Sequence, residues 1–304
     1  MSWIFSRFDS DSRDSTESTV SASAVRPMLS RCCASFTSFS FNLILPFRII
    51  PTMKDFTVLI PVFNAKEATE LTIRTLYAVA KTHIAEFIVA DSSNDTVTSS
   101  MLDSLAKEYP INICRPDHAL NHPTAMDFLF KQNIKTPFVF TSDSDVEYYS
   151  CRDFHDALSH FKNPTVALTG PYVETRKHPS TPGSHLSEYI YCWAMAARTG
   201  IIKKYGHLFL DGLATTENGK HVQYDCGAKF FVTVCRKDGW NFADISDYKE
   251  PLAHRHYSAQ SRWKEMTQGH THLPIDDFKK SMQAVEDEIQ DKLNRRIWLD
   301  LKAC

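Results

Sequence analysis

Residues 56–80 read FTVLIPVFNAKEATELTIRTLYAVA, and within this stretch the hydrophobic pattern changes once. The run 56–62 is almost wholly apolar and of strand length, as expected for a strand covered on both faces. After Asn64 the period becomes helical: Ile73, Leu76, Tyr77 and Ala80 share one face. Asn64 can cap that helix, and Glu67 follows three residues later, as in a capping box. A buried strand feeding an amphipathic helix is the first half of a crossover unit.

The unit then repeats. EFIVA (86–90) is a second buried strand, closed by DSSND (91–95). Val97, Met101, Leu102 and Leu105 mark a second helix, INICRP (111–116) a third strand, and Met126, Leu129, Phe130 and Ile134 a third helix. PFVFTS (137–142) is the fourth strand. This alternation predicts an α/β fold with a mainly parallel sheet sandwiched by helices. Beyond residue 150, CRDFHDALSHFKN reads as a helix and TVALTGPYVE as a strand. SEYIYCWAMAARTGIIKKYG reads as partly helical, and YDCGAKFFVTVCRKDGWNFADI as turn, helix, turn and strand. Tyr189, Tyr191 and Trp193 offer faces on which a ligand ring could stack, but core packing is the preferred account of aromatics at that spacing.

Composition sets the limits. With 304 residues, 43% of them hydrophobic, the chain can bury a sizeable core. A net charge of -2 supplies no field for nucleic acid. No apolar run is long enough for a transmembrane segment. The eight cysteines show no CxxC spacing, which points to reduced thiols and a cytoplasmic location. Residues 1–52 begin Ser- and Thr-rich and read as an extension outside the fold. Residues 53–272 form the main domain, whose first half runs to about residue 150, and 273–304 a C-terminal amphipathic helix. Phe278, Met282, Val285 and Ile289 form that helix's apolar stripe, whose ordinary role is packing on the domain, with a homodimer contact as the alternative.

Ligands of such sheets bind beyond the carboxyl ends of the strands. Polar residues gather at those ends: Asn64, then Asp91 and Asp95, then Asp143 and Asp145. Turns also favour Asn and Asp, but three strand ends on one rim favour a site. Two carboxylates one residue apart suit a hard divalent cation, Mn²⁺ or Mg²⁺, beside substrate phosphates. An EF-hand is excluded, because Tyr148 and Phe154 stand where that loop requires Gly and Glu.

FTVLIPVFNAKE, EFIVADSSND and PFVFTSDSDVE together resemble the N-terminal signatures of family 2 glycosyltransferases with the GT-A fold. The resemblance implies a metal-dependent transfer of a sugar from a nucleotide-sugar donor to a carbohydrate or glycoconjugate acceptor hydroxyl, with inversion. It implies that Pro61, Phe63, Asn64 and Asp91 surround the nucleotide, that Asp143 lies near the ribose, and that Asp145 ligates the metal. QYDCGAKFFVTVCRKDGW is similar to the segment that carries the catalytic base, making Asp225 the candidate, with Asp211, Glu217 and Asp244 as rivals. HYSAQSR is similar to a later segment and makes His256 a metal ligand or diphosphate contact, with Ser261 and Arg262 nearby and His254 as the competing choice. DSSND is shorter than the family's usual second motif, Val146 replaces a common acidic residue, and Tyr224 stands where Glu often precedes the base. The alternatives are a sugar nucleotidylyltransferase, disfavoured by the lack of a Gly-rich loop after the first strand, and a non-catalytic nucleotide-sugar-binding module.

Overall fold

The computed structural model describes residues 54–177, 184–209, 214–217, 220–223, 226–245, 254–256 and 275–303. The extension 1–52, Asp211, Asp225, Ser261 and Arg262 lie outside the described residues.

The first half alternates as the sequence predicts: β1 (Phe56–Val62), α1 (Lys66–Ala80), β2 (Ile84–Asp91), α2 (Thr96–Leu105), β3 (Ile111–Cys114), α3 (His122–Phe130) and β4 (Phe138–Ser142). Then come β5 (Val146–Tyr148), α4 (Arg152–Phe161), β6 (Val166–Gly170), β7 (Tyr172–Val173), β8 (Arg176–Lys177), β9 (Ser184–Leu186), β10 (Tyr189–Ile190) and β11 (Ala194–Arg198). The described remainder is α5 (Thr199–Tyr205), β12 (Ala214–Glu217), β13 (Lys220–Gln223), α6 (Ala228–Phe231) with a π-helical turn after it, β14 (Asn241–Asp244), β15 (His254–His256) and a last helix, α7 (Ile275–Arg295).

Seven strands form the central sheet in the order β14-β6-β11-β4-β1-β2-β3. All neighbours are parallel except β11, which runs antiparallel between β4 and β6. Every residue of β1 is buried, as its unbroken apolar run requires. Pro61 sits where the β4 ladder has already ended, since that pairing stops at Leu59. A residue lacking an N–H is tolerated there in an otherwise central strand.

Two apolar layers flank the sheet. One packs Ile73, Leu76, Leu102, Phe140 and Phe154, and the other Met126, Leu129, Phe130, Ile202 and Phe231. Three local expectations change. Val97 is 57% exposed, while Thr98, Met101, Leu102 and Leu105 form the buried face of α2. Ile134 is buried in the link after α3, which ends at Phe130. Asn64 does not cap α1: its φ of 50° is left-handed, Ala65 holds the cap position, and the Asn64 side chain bonds across to Asn94. The segment 187–206 is helical in part as expected, in α5, and the strand β11 precedes that helix, buried on both faces by the two layers. Gly170 accepts that arrangement, since a Cβ there would lie 2.4 Å from Ile190.

Cys114, Cys192, Cys226 and Cys235 are free thiols, whereas Cys151 is disulfide-bonded, against the all-thiol expectation. Spacing along a chain does not say which sulfurs meet in space. No helix among the described residues is long and apolar enough to cross a membrane.

Among the residues whose side chains are described, the stripe of α7 packs on the domain through Val285 and Ile289. Ile289 is buried against Ala68 and Leu71, with Val285 and Leu293 beside it. Arg74 of α1 binds Glu70, Glu108 and Tyr109, and its guanidinium lies 4.9 Å from the centre of the Trp298 ring. Lys292 reaches Glu147 of β5 at 2.6 Å, and the Glu147 side chain is 1% exposed. Burial works against the Lys292 charge, but hydrogen bonds to Glu147 and Glu288 carry its pKa above the ordinary 10.5.

Removing one partner of a buried ion pair costs far more than the pair is worth. Lys292→Met is therefore expected to lower unfolding stability by about 3 kcal/mol in urea titrations. Adding Glu147→Met should recover most of that loss. Because the folded pKa of Lys292 is raised, its contribution is complete below the unfolded lysine value and fades as pH rises through the folded one.

Candidate active site at the sheet rim

The carboxyl ends of β1, β2 and β4 lie side by side, and each closes in polar residues. After β1, the left-handed Asn64 forms a two-way clasp with the turn after β2. Its Nδ2 donates to Asn94 Oδ1 at 2.6 Å, and the Asn94 N–H donates to Asn64 Oδ1 at 3.0 Å. The Asn64 N–H also donates to Ser93 Oγ. Asp95 then caps α2 by accepting from the Thr98 N–H.

Asp91 pairs with Val62 in the β1–β2 register and is buried to 3% exposure. Its carboxylate accepts from the Ser93 N–H, the Ser99 hydroxyl at 2.7 Å and Arg115 Nε at 3.0 Å. Arg115 also binds Asp103, so the charge of Asp91 is matched on the sheet side of the rim. Much of its acceptor capacity is thereby occupied. Pro61, Asn64 and Asp91 come together at this corner, with Phe63 between the first two in the chain and partly exposed.

Asp143 and Asp145 follow β4. Asp145 is 8% exposed, and the Asp143 carboxylate lies 3.0 Å from His122 Nε2 at the start of α3. The N–H of Val146 donates to Thr72 and the Tyr148 N–H to Thr75, so α1 fixes the chain immediately after the acids. The buried Tyr148 hydroxyl bonds Ser142. Burial foremost, and then the fields of Asp153, Asp143 and Asp145, raise its pKa well above the ordinary tyrosine value. Strand β15 pairs antiparallel with β5 and sets His256 opposite Val146 and His254 opposite Tyr148. The backbone of His256 thus comes beside the two acids from more than 100 residues away. Asp244, a rival base, ends β14, exposed, with its carboxylate accepting from the Tyr172 N–H.

One cluster escaped sequence reading. His122 Nδ1 lies 3.5 Å from Cys226 Sγ, and Cys192 completes a group whose ligand atoms all fall within 4.8 Å of one another. A hydrogen bond from Cys226 holds the Cys192 thiol pKa down at about 7, against the pull of burial and with help from His122. For His122, burial opposes the charge, but Cys192 and Asp143 outweigh it and raise the pKa. Its side chain keeps 36% of its surface, so water softens that effect. The three residues are 34 to 104 apart along the chain, and no short motif could have joined them.

A groove of about 670 Å³ between α1 and α7 is lined by Glu67, Glu70, Arg74, Tyr109 and Trp298 among others, and by none of the strand-end acids.

The sequence model of glycosyl transferase family 2 matches residues 57–229, more than half of the chain. The chain belongs to glycosyl transferase family 2. Its mainly parallel sheet between helical layers is the GT-A fold. A nucleotidylyltransferase is set aside by this membership.

Three solved structures are similar to this family 2 chain at low identity. One is the mannosyltransferase PcManGT from Pyrobaculum calidifontis in complex with GDP-Man and Mn²⁺, at 15% identity and a TM-score of 0.46, over 64% of this chain and 55% of that one. Another is S. aureus TarS 1–349, at 18% and 0.40, over 61% and 64%. The third is GalNAc-T7 with UDP, GalNAc and Mn²⁺, at 12% and 0.43, over 80% and 58%. The chain spans 55–64% of the length of these proteins. Overlaps this partial fix neither donor nor acceptor. No curated protein matches the chain significantly.

In metal-free protein, alkylation of Cys192 is expected to follow a midpoint of about 7, read by peptide mass spectrometry across pH. Cys226→Ala should move that midpoint upward, because it removes the donor that stabilises the thiolate. A midpoint at the ordinary thiol value in both proteins would contradict the arrangement.

Proposed function

We propose that this family 2 chain transfers a sugar from a nucleotide-diphosphate donor to a hydroxyl of a carbohydrate or glycoconjugate, with inversion, using Mn²⁺ or Mg²⁺ bound at the sheet rim. The observation that carries the reading is the β15–β5 register: it brings His256 opposite Val146, one residue beyond the buried Asp145.

The donor set fits a hard cation. Asp145 offers carboxylate oxygen at a strand end crowded with acids, and His256 approaches from the facing strand. Asp145 and His256 are assigned to hold the ion. When bound, it supplies positive charge to the departing diphosphate.

The chain's own residues do the rest. The corner of Pro61, Phe63, Asn64 and Asp91 receives the nucleotide. The clasp between Asn64 and Asn94 keeps that corner in one conformation, so little ordering remains to be done on binding. Arg115 holds the Asp91 carboxylate in place through its Nε. Asp143, positioned by His122, faces the ribose. Asp225 takes the proton of the acceptor hydroxyl as that oxygen attacks the anomeric carbon. A single in-line displacement inverts the configuration there.

The test is release of nucleoside diphosphate from a panel of nucleotide sugars, with Mn²⁺, with Mg²⁺ and with chelator. Metal-dependent release from at least one donor is expected, and Asp145→Asn should reduce it on the order of 100-fold without changing the unfolding midpoint greatly. Binding of a donor with no turnover, after trial of acceptors, would instead assign a non-catalytic module. Asp225→Asn is expected to lower transfer on the order of 100-fold while donor affinity, measured by calorimetry, stays unchanged. Loss of donor affinity in that variant would remove Asp225 from the role of base.

A further inference from the structure

We propose that His122, Cys192 and Cys226 form a second metal site, one for a thiophilic ion of the Zn²⁺ class, separate from the hard-cation site at the strand ends.

Three donors of the right kind converge. Among the described residues this is the one group of three or more His, Cys, Asp or Glu whose ligand atoms meet so closely. Two sulfurs and an imidazole nitrogen favour zinc or another borderline-soft ion and disfavour Mg²⁺ and Mn²⁺. The spacing suits the ion as well. Zinc–sulfur and zinc–nitrogen bonds of about 2.3 and 2.0 Å at a tetrahedral angle place the two ligand atoms roughly 3.5 Å apart. His122 Nδ1 and Cys226 Sγ are 3.5 Å apart.

The histidine is oriented for the task. Its Nδ1 faces the sulfurs, while Nε2 lies 3.0 Å from Asp143 Oδ1. With the proton on Nε2 and donated to the carboxylate, the Nδ1 lone pair points at the cluster. Metal-bound histidines nearly always hand their second N–H to a carboxylate or carbonyl in this way. The residues come from three separate elements: the first turn of α3, the link before β11, and the turn before α6. A shared ion would tie them together, and each residue is partly exposed, so the ion has a way in. With three protein ligands, the fourth position is left to water or another small donor. Through His122 the ion would act as a positioning element for Asp143. The site itself is independent of the glycosyltransferase reading, since it rests on the donors and their spacing alone.

The experiment uses the full chain, purified under reducing conditions and stripped by chelator. Zn²⁺ alone is titrated against a chromophoric competitor, and Co²⁺ alone serves as the spectroscopic probe. The expected results are one ion per chain at this site, a sulfur-to-cobalt charge-transfer band, and the intense visible bands of tetrahedral cobalt. Zinc should protect Cys192 and Cys226 of the unaltered protein from alkylation, a readout that needs no variant. Cys192→Ser and Cys226→Ser should each abolish the sulfur band, and Asp143→Asn should weaken zinc binding about 10- to 100-fold. Asp145→Asn should leave the band in place, which separates this site from the rim. The proposal is overturned by cobalt spectra without a sulfur band, by a band that survives both cysteine variants, or by alkylation equally fast with and without zinc.

Discussion

Negative charge at the carboxyl end of the sheet is the constraint on which the rest depends. Asp91, Asp145 and Glu147 are buried, and Asp143 stands among them. Two like charges about 6 Å apart repel by roughly 3 kcal/mol at an effective dielectric near 20. The fold meets that repulsion with cations brought from a distance. Arg115 comes from the end of β3, His122 from the start of α3 and Lys292 from α7. The sheet gathers acids, and the surrounding elements are arranged partly by where their cations must reach.

That arrangement explains which parts of the fold were legible. A strand buried on both faces leaves an unbroken apolar run, and a helix covering it leaves a stripe, so β1 to β4 with α1 to α3 could be read directly. The errors fall where tertiary contacts override local preference. Asn64 has the chemistry of a helix cap, but its partner lies 30 residues away in the turn after β2. Val97 continues the stripe of α2 on a wheel, yet it faces outward while the next residue, Thr98, takes the buried position in the first turn. Residues 194–198 lack the β-branched signature of a strand, and become one because a slot between β4 and β6 admits small side chains.

The candidate site divides in the same way. Asp143 and Asp145 announce themselves because both stand within three residues of one strand end. Asp91 was visible for the same reason, although its engagement with Arg115, Ser99 and Ser93 was not. His122, Cys192 and Cys226 gave no local signal: a histidine after a capping Asn and cysteines in aromatic or turn segments read as ordinary packing. Only the folded chain brings them to one point. Asp225 and His256 came from resemblance, and of these the backbone register of His256 alone can be read.

The bond between Lys292 and Glu147 spans 145 residues of chain. On a ribosome adding about 5–20 residues per second, β5 would leave the tunnel roughly 7–30 s before its lysine does. During that interval the acid-rich edge of the sheet must be tolerated by a growing polypeptide that cannot yet close it. Synthesis speed, and any chaperone that shelters the nascent chain, therefore bear on how much of this protein reaches its finished form.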